Sequence, residues 1–263
     1  MVNHQKETKN WKELEKENAF ELVVAAGEIQ LHSGAEISRV EETMNHMAEA
    51  LQLDSLETFI IANGIFATAE GSEYMQRAGL KHISTGNMDL GKIEAVNTLS
   101  RHLEEGKLTR EEAWEQIEEI KNRKDYSPVT QIVAYALGSG AFCYALGGSG
   151  MDALCAALVG TFLGIFFVFF RFFHTSKAIR TIFGSMLVTL LTTCFFKMGL
   201  GDSVNRIIIG VLIPMIPGVA FTCAIRDLVE NDYLSGLIRL MDVLLTLGSI
   251  VAGVVFVWSL PGF

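Results

Sequence analysis

Two prolines and a glycine inside an apolar run are the residues of this sequence with the largest chemical consequence. Val204–Arg226 reads VNRIIIGVLIPMIPGVAFTCAIR, enough to cross a bilayer, which takes about 20 helical residues. Pro214, Pro217 and Gly218 sit near its middle. Each proline removes a backbone donor and clashes with the preceding turn, so the spacing predicts a broken helix. Backbone freed at membrane depth has to be buried in protein or line a wet cavity, as in the discontinuous helices of carriers. Such a break offers backbone groups to a small zwitterion or carboxylate, and a helix N-terminus there favours an anion. The plainer alternative is a proline kink that only shapes packing.

Ionisable groups within or against apolar runs come next, because burying charge in lipid is costly. Asp152 follows the turn Gly147-Gly148-Ser149-Gly150, and Asp227 follows the broken run. Either is a candidate proton-coupled or gating carboxylate. The structural alternatives are an N-cap for Asp152 and an interfacial anchor beside Arg226 for Asp227. Arg239 and Asp242 lie three apart and are expected to form an i,i+3 ion pair.

A hydroxyl lies near an imidazole twice, at Ser33 with His32 and at Ser100 with His102. A nucleophile and base would make the chain a membrane-anchored hydrolase, the rival reading; a regulatory membrane scaffold is a third. Residues so close on a helix do not face one another, so a triad would have to be assembled in space. The sequence has no G-x-x-x-x-G-K-[ST] loop and no H-E-x-x-H, and its six histidines lack ligand spacing. No cofactor and no metal is expected. Cys143, Cys155, Cys194 and Cys223 all lie in apolar runs and read as small hydrophobes.

Composition divides the elements that must position these groups. Residues 1–126 hold 24 of the 30 acidic groups and 14 of the 21 Lys and Arg, a net charge of −10. Residues 127–263 hold 7 basic and 6 acidic groups, almost all at the ends of apolar runs. The expectation is an acidic, soluble α+β domain over 1–126, then an all-α membrane bundle over 127–263. The acidity argues against nucleic acid as a partner. The leader MVNHQKETKNWKELEKEN has no apolar h-region, so no cleaved signal peptide is expected.

In the soluble half, apolar periodicity predicts helices over 19–31, 35–51, 89–103 and 110–120. Capping boxes are expected at Ser38 with Glu41 and at Thr109 with Glu112. Asn63-Gly64 between two β-rich runs predicts a hairpin, with a third strand including Leu80–Ser84. In the membrane half five spans are expected: Val129–Leu146, Met151–Phe173, Ala178–Phe196, Val204–Ile225 and Leu234–Trp258, the third being the weakest. Gly160-x-x-x-Gly164 permits close helix approach. Eight Lys and Arg lie near span ends on one side and two on the other, Lys197 and Arg206. That places the N-terminal domain in the cytoplasm and the C-terminus outside.

The chain resembles the threonine/serine exporter family of bacterial inner-membrane carriers, in particular the larger subunit of its two-component members. The resemblance rests on GAEISRVEETM (34–44), Asn63-Gly64-Ile65, KIEAVNTLSR (92–101), GGSGMD (147–152) and IPMIPGVAFTCAIRDLVENDYLSGLIR (213–239). The chain departs from the family pattern at Ala62-Asn63 and at Lys81-His82. The resemblance implies export of threonine and serine, or of a dicarboxylate such as succinate, driven by the proton motive force. It implies site residues Glu36, Arg39, Glu41, Asn63, Ser100 and Arg101 in the soluble half. In the spans it implies Gly147, Gly148, Asp152, Pro217, Gly218 and Asp227. With one broken helix and an odd span count, the chain is expected to need a second, smaller membrane subunit, or a further copy of itself as a homo-oligomer.

Overall fold

The structure is a computed structural model that describes residues 19–261 except 54, 72–74, 84–87, 125, 172 and 174. The charged leader and Ser84 therefore lie outside the described residues. Two compact units are present: residues 1–124 with 220–240, and 125–219 with 241–263.

The first unit begins with helix α1 over residues 19–32, followed by α2 at Ile37–Ala50. A three-stranded antiparallel sheet comes next, β1 (Ser55–Ile61), β2 (Gly64–Gly71) and β3 (Met75–His82), in that spatial order. Helices α3 (Leu90–Glu104) and α4 (Arg110–Asn122) complete the N-terminal part. The core is made where α1, α2 and α3 present apolar faces, with Leu22, Val23, Val40, Met44, Met47, Val96 and Leu99 sealed from solvent. The sheet contributes Ile60, Ile65, Ala67 and Ala69, while Phe59 and Phe66, directly opposite in register, lie on its outer face with tilted rings 5.9 Å apart.

Two local expectations shift. The hairpin exists, but Ile61 pairs with Gly64, so Ala62-Asn63 forms the turn and Gly64 opens β2. A Cβ on Gly64 would lie 3.3 Å from the Lys81 carbonyl oxygen, so the glycine serves the approach of β3. The second shift is at α2, whose N-cap is Glu36 and has no side-chain cap, so Ser38 lies inside the helix and makes no capping box. At α4 the expected box is present: the Thr109 hydroxyl accepts from the Glu112 N–H, and Glu112 accepts from the Thr109 N–H at 2.8 Å.

The second unit contains α5 (Pro128–Ala145), α6 (Gly150–Phe170), α7 (Lys177–Lys197) and α8 (Val204–Leu212), which runs into a 3₁₀ turn at Ile213–Met215. Helix α9 (Gly218–Val229) follows, then α10 (Tyr233–Trp258); each passes from one unit to the other. Among the described residues, α6, α7 and α10 are long and apolar enough to cross a membrane, and the α8–α9 pair qualifies as a fourth, broken span. The third expected span, α7, is the least apolar of the three uninterrupted ones, with mean hydropathy 1.6. The first expected span, α5, is less apolar than these, because Pro128, Thr130, Gln131, Ser139, two tyrosines and two glycines dilute its apolar content.

Glycines bring the helices of this unit together. A Cβ on Gly160 would lie 2.7 Å from the Tyr135 carbonyl oxygen, and one on Gly164 2.9 Å from the Ile132 Cα, so G-x-x-x-G seats α6 directly on the α5 backbone. Gly210 of α8 meets the Cys143 backbone of α5 in the same way, and Gly253 of α10 meets Ser185 and Ile182 of α7.

Candidate functional site

Eight of the sequence-derived site residues fall into three places. The first is the break. Helices Val204–Met215 and Gly218–Val229 are bent by 57° where Ile213–Met215 tightens to a 3₁₀ turn and Ile216 becomes extended. Pro214 lies in that turn and Pro217 directly precedes α9, which restricts Ile216 to extended backbone. The turn is packed rather than open on one side: Met215 reaches Gly184 of α7, and Pro214 lies beside Gly138 of α5. The Gly218 amide donates to the Ile216 carbonyl at 2.8 Å.

The second place is the turn before α6. Gly147 has a φ of +83°, which favours glycine, and a Cβ on Gly148 would collide with Cys143. Ser149 caps α6, and Asp152, fully buried, occupies the third helical position of a capping box. One Asp152 carboxylate oxygen accepts the Ser149 N–H at 3.0 Å; the other accepts the Asp202 and Ser203 N–H groups at 2.7 and 3.1 Å. Asp152 thus binds the loop before α8 to the start of α6, more than the simple cap that the spacing offers. Asp202 accepts from the Ser149 hydroxyl at 2.6 Å, and Arg206 donates to the Gly147 carbonyl.

The third place unites two residues that sequence spacing kept 191 positions apart, Glu36 and Asp227. Asp227 is fully buried on α9, and Arg239, only 11% exposed, brings its Nε to 3.3 Å. Arg239 also donates to the Ala35 carbonyl at 2.5 Å. Neither Asp227 oxygen has a partner of hydrogen-bond geometry among the described residues, although the Ile37 amide at the start of α2 acts on it electrostatically. One residue earlier, Arg226 pairs with Glu36 at 2.8 Å and with Glu230 at 2.9 Å. Hydrogen bonds from Arg226 and then Ser38 hold the Glu230 carboxyl below its ordinary range. The uncapped N-terminus of α2 is therefore met by the carboxylates of Asp227 on α9 and of Glu230 just beyond it, which suits the positive end of its dipole.

This arrangement overturns the expected Arg239–Asp242 pair. Arg239 turns to Asp227, and Asp242 pairs with Lys177 of α7 at 2.7 Å, each choosing a partner from a neighbouring helix over one three residues away. The remaining five expected residues, all N-terminal to residue 126, do not converge. Arg39 and Glu41 are exposed on α2; Asn63 sits in the hairpin turn, its carbonyl accepting from Ile83; Ser100 is buried in α3, and Arg101 is exposed beside it. The Ser33 hydroxyl is buried without a hydrogen-bond partner among the described residues, so His32 does not activate it. Arg226 with Glu36, Lys177 with Asp242 and Asp202 with Ser149 leave no local pattern in the sequence, because their segments are distant; Arg226 with Glu230, four residues apart, was readable at i,i+4 spacing.

Comparison with known proteins bears on these places together. The family model described as "Putative threonine/serine exporter" (ThrE) matches residues 21–260. The chain belongs to the threonine/serine exporter family. A curated relative, the "Probable threonine/serine exporter" of Mycobacterium tuberculosis, is 22% identical over 248 residues. The match covers 92% of this chain and 46% of that relative, so the chain spans less than half the relative's length. No solved structure matches. Threonine/serine exporters are transporters and not enzymes, and with its apolar helices this family member is a multi-pass membrane protein.

Proposed function

We propose that this member of the threonine/serine exporter family is a subunit of a secondary transporter. It exports small metabolites, threonine and serine or a dicarboxylate such as succinate, across the bacterial inner membrane under the proton motive force. The observation that carries this reading is the 57° break at Pro214–Gly218, between two apolar helices, beside three uninterrupted ones among the described residues. A discontinuous helix is how carriers expose backbone to substrate at membrane depth. In this reading α5 is a fifth span, the soluble half faces the cytoplasm, and the C-terminus lies outside.

Of the two candidate carboxylates, Asp227 is the better coupling group. Asp152 is saturated by three backbone N–H groups, whereas Asp227 has one cation and, among the described residues, no hydrogen bond of good geometry. A buried acid held by a single arginine can exchange that partner during a transport cycle. The second half of the site comes from a smaller membrane subunit, or from a second copy. The glycines Gly140, Gly160, Gly164 and Gly253 are taken up by contacts within the chain, whereas Gly248 has nothing within 4 Å of a Cβ position among the described residues.

The test is reconstitution into proteoliposomes with labelled threonine, serine and succinate, with and without a proton gradient. Gradient-dependent movement of one of them is expected when the second subunit is present. Full transport by the chain shown to be monomeric would remove the partner. No transport of any of the three, with the partner present, would remove the exporter reading.

A further inference from the structure

Helix α7 turns a strip of hydroxyls to the protein interior: Thr181, Ser185, Thr189, Thr192 and Thr193 are all buried. At about 100° per residue they share one face, and Thr192 lies about 20° from Ser185. Gly184 borders the strip on one flank, where a Cβ would touch Phe167 and Leu163 of α6 and Met215 of the break at 3.2–3.4 Å. Ser185 meets Gly253 of α10 on the other. The same face of α10 carries two more buried hydroxyls, Thr246 and Ser249.

Most of these hydroxyls have spent their proton on their own helix. Thr181, Thr189 and Thr193 donate four residues back at 2.8–2.9 Å, and Ser185 donates to Ile182. Thr246 and Ser249 donate four residues back on α10 at 2.7–2.8 Å. What each still offers is lone pairs, so the wall they form accepts hydrogen bonds and does not donate them. Thr192 differs: it is fully buried, and its Oγ1 has no hydrogen-bond partner among the described residues. A threonine in a helix can satisfy itself by bonding backwards, as its neighbours do. A sealed hydroxyl that does not is a cost to folding that a bound polar group would remove.

We propose that Thr192 contacts substrate, and that the α7 hydroxyl strip is the wall of the transport path that recognises an ammonium group. Three N–H donors of an ammonium match a wall of lone pairs, whereas a dicarboxylate brings only acceptors to it. The Thr192 hydroxyl, alone with its proton uncommitted, donates to the carboxylate of the same zwitterion. The inference rests on the exporter reading and selects the zwitterion from its two substrate classes.

The experiment measures ligand-induced thermal stabilisation of the full chain assembled with its second subunit in detergent, using L-threonine, L-serine and succinate as probes. Wild type, Thr192→Val and Thr192→Ser are compared. The zwitterions are expected to stabilise wild type and Thr192→Ser, and to bind Thr192→Val at least tenfold more weakly. The midpoint of ligand-free Thr192→Val is expected to equal or exceed that of wild type, because valine keeps the shape and removes an unpartnered hydroxyl. Zwitterion binding by Thr192→Val equal to wild type overturns the assignment and leaves the exporter reading standing. A lowered ligand-free midpoint for Thr192→Val shows a structural hydroxyl and overturns it as well. Stabilisation of wild type by succinate alone overturns the ammonium wall, and stabilisation by none of the probes overturns the proposal together with the site it rests on.

Discussion

Asp227 and Arg239 form a buried ion pair, 3.3 Å apart, that joins α9 to α10 across the turn at Asn231. Both charges are withdrawn from water, so neither is tolerable without the other. Removing one partner of a buried pair costs about 3–5 kcal/mol, while replacing both by apolar groups is often neutral. Asp227→Asn should lower the thermal unfolding midpoint in detergent. The double variant Asp227→Leu, Arg239→Met should recover most of that stability but transport nothing. Export by the double variant would show that the pair is only structural.

The break offers a second prediction. A Cβ on Gly218 meets nothing within 4 Å among the described residues, so alanine fits there without collision. Joining Pro217→Ala with Gly218→Ala removes a helix breaker worth about 3 kcal/mol and a glycine worth about 1. We expect α8 and α9 to merge towards one continuous helix, with wild-type expression and loss of export. Wild-type export from this variant would reduce the break to a packing kink.

Topology gives a third. With eight cationic residues near span ends on one side and two on the other, the N-terminus should be cytoplasmic. A tag at Met1 should be silent to antibody in intact cells and become reactive after permeabilisation. Labelling of intact cells would reverse the orientation and move Asp227 to the outer face.

The fourth concerns pH. The Thr109 N–H, and then its hydroxyl, hold the Glu112 carboxyl below its ordinary range. A depressed folded value means the contribution is complete above the unfolded Glu value of about 4.3, and is lost as pH falls through the folded one. Glu112→Gln should therefore flatten the stability profile of the N-terminal half in that acid window and leave transport at neutral pH unchanged. An unaltered profile would mean that the box contributes nothing measurable.

Much of this protein was legible in one dimension. Period 3.6 located α1 to α4, since a helix needs an apolar face and the face repeats along the chain. Thr109 and Glu112 announced their cap because its two partners are three residues apart. Pro214, Pro217 and Gly218 announced the break because the defect in a helix lies in the residues that cause it. The α7 hydroxyls were equally readable, at spacings of three and four, once the buried face of that helix was known.

What the tertiary structure alone decided is partnership. Arg239 had Asp242 within reach along its own helix and took Asp227 on another; Asp242 took Lys177. Ser38 looked like a cap, and instead the helix start drew Asp227 on α9 and Glu230 just beyond it, almost two hundred residues away. Asp152 gathered N–H groups from a loop fifty residues on. Local pattern records what a residue does to its own helix, through backbone geometry and the hydrophobic face. Which charge meets which depends on where packing carries each segment, because a Coulombic pair is chosen by distance and burial and not by sequence separation.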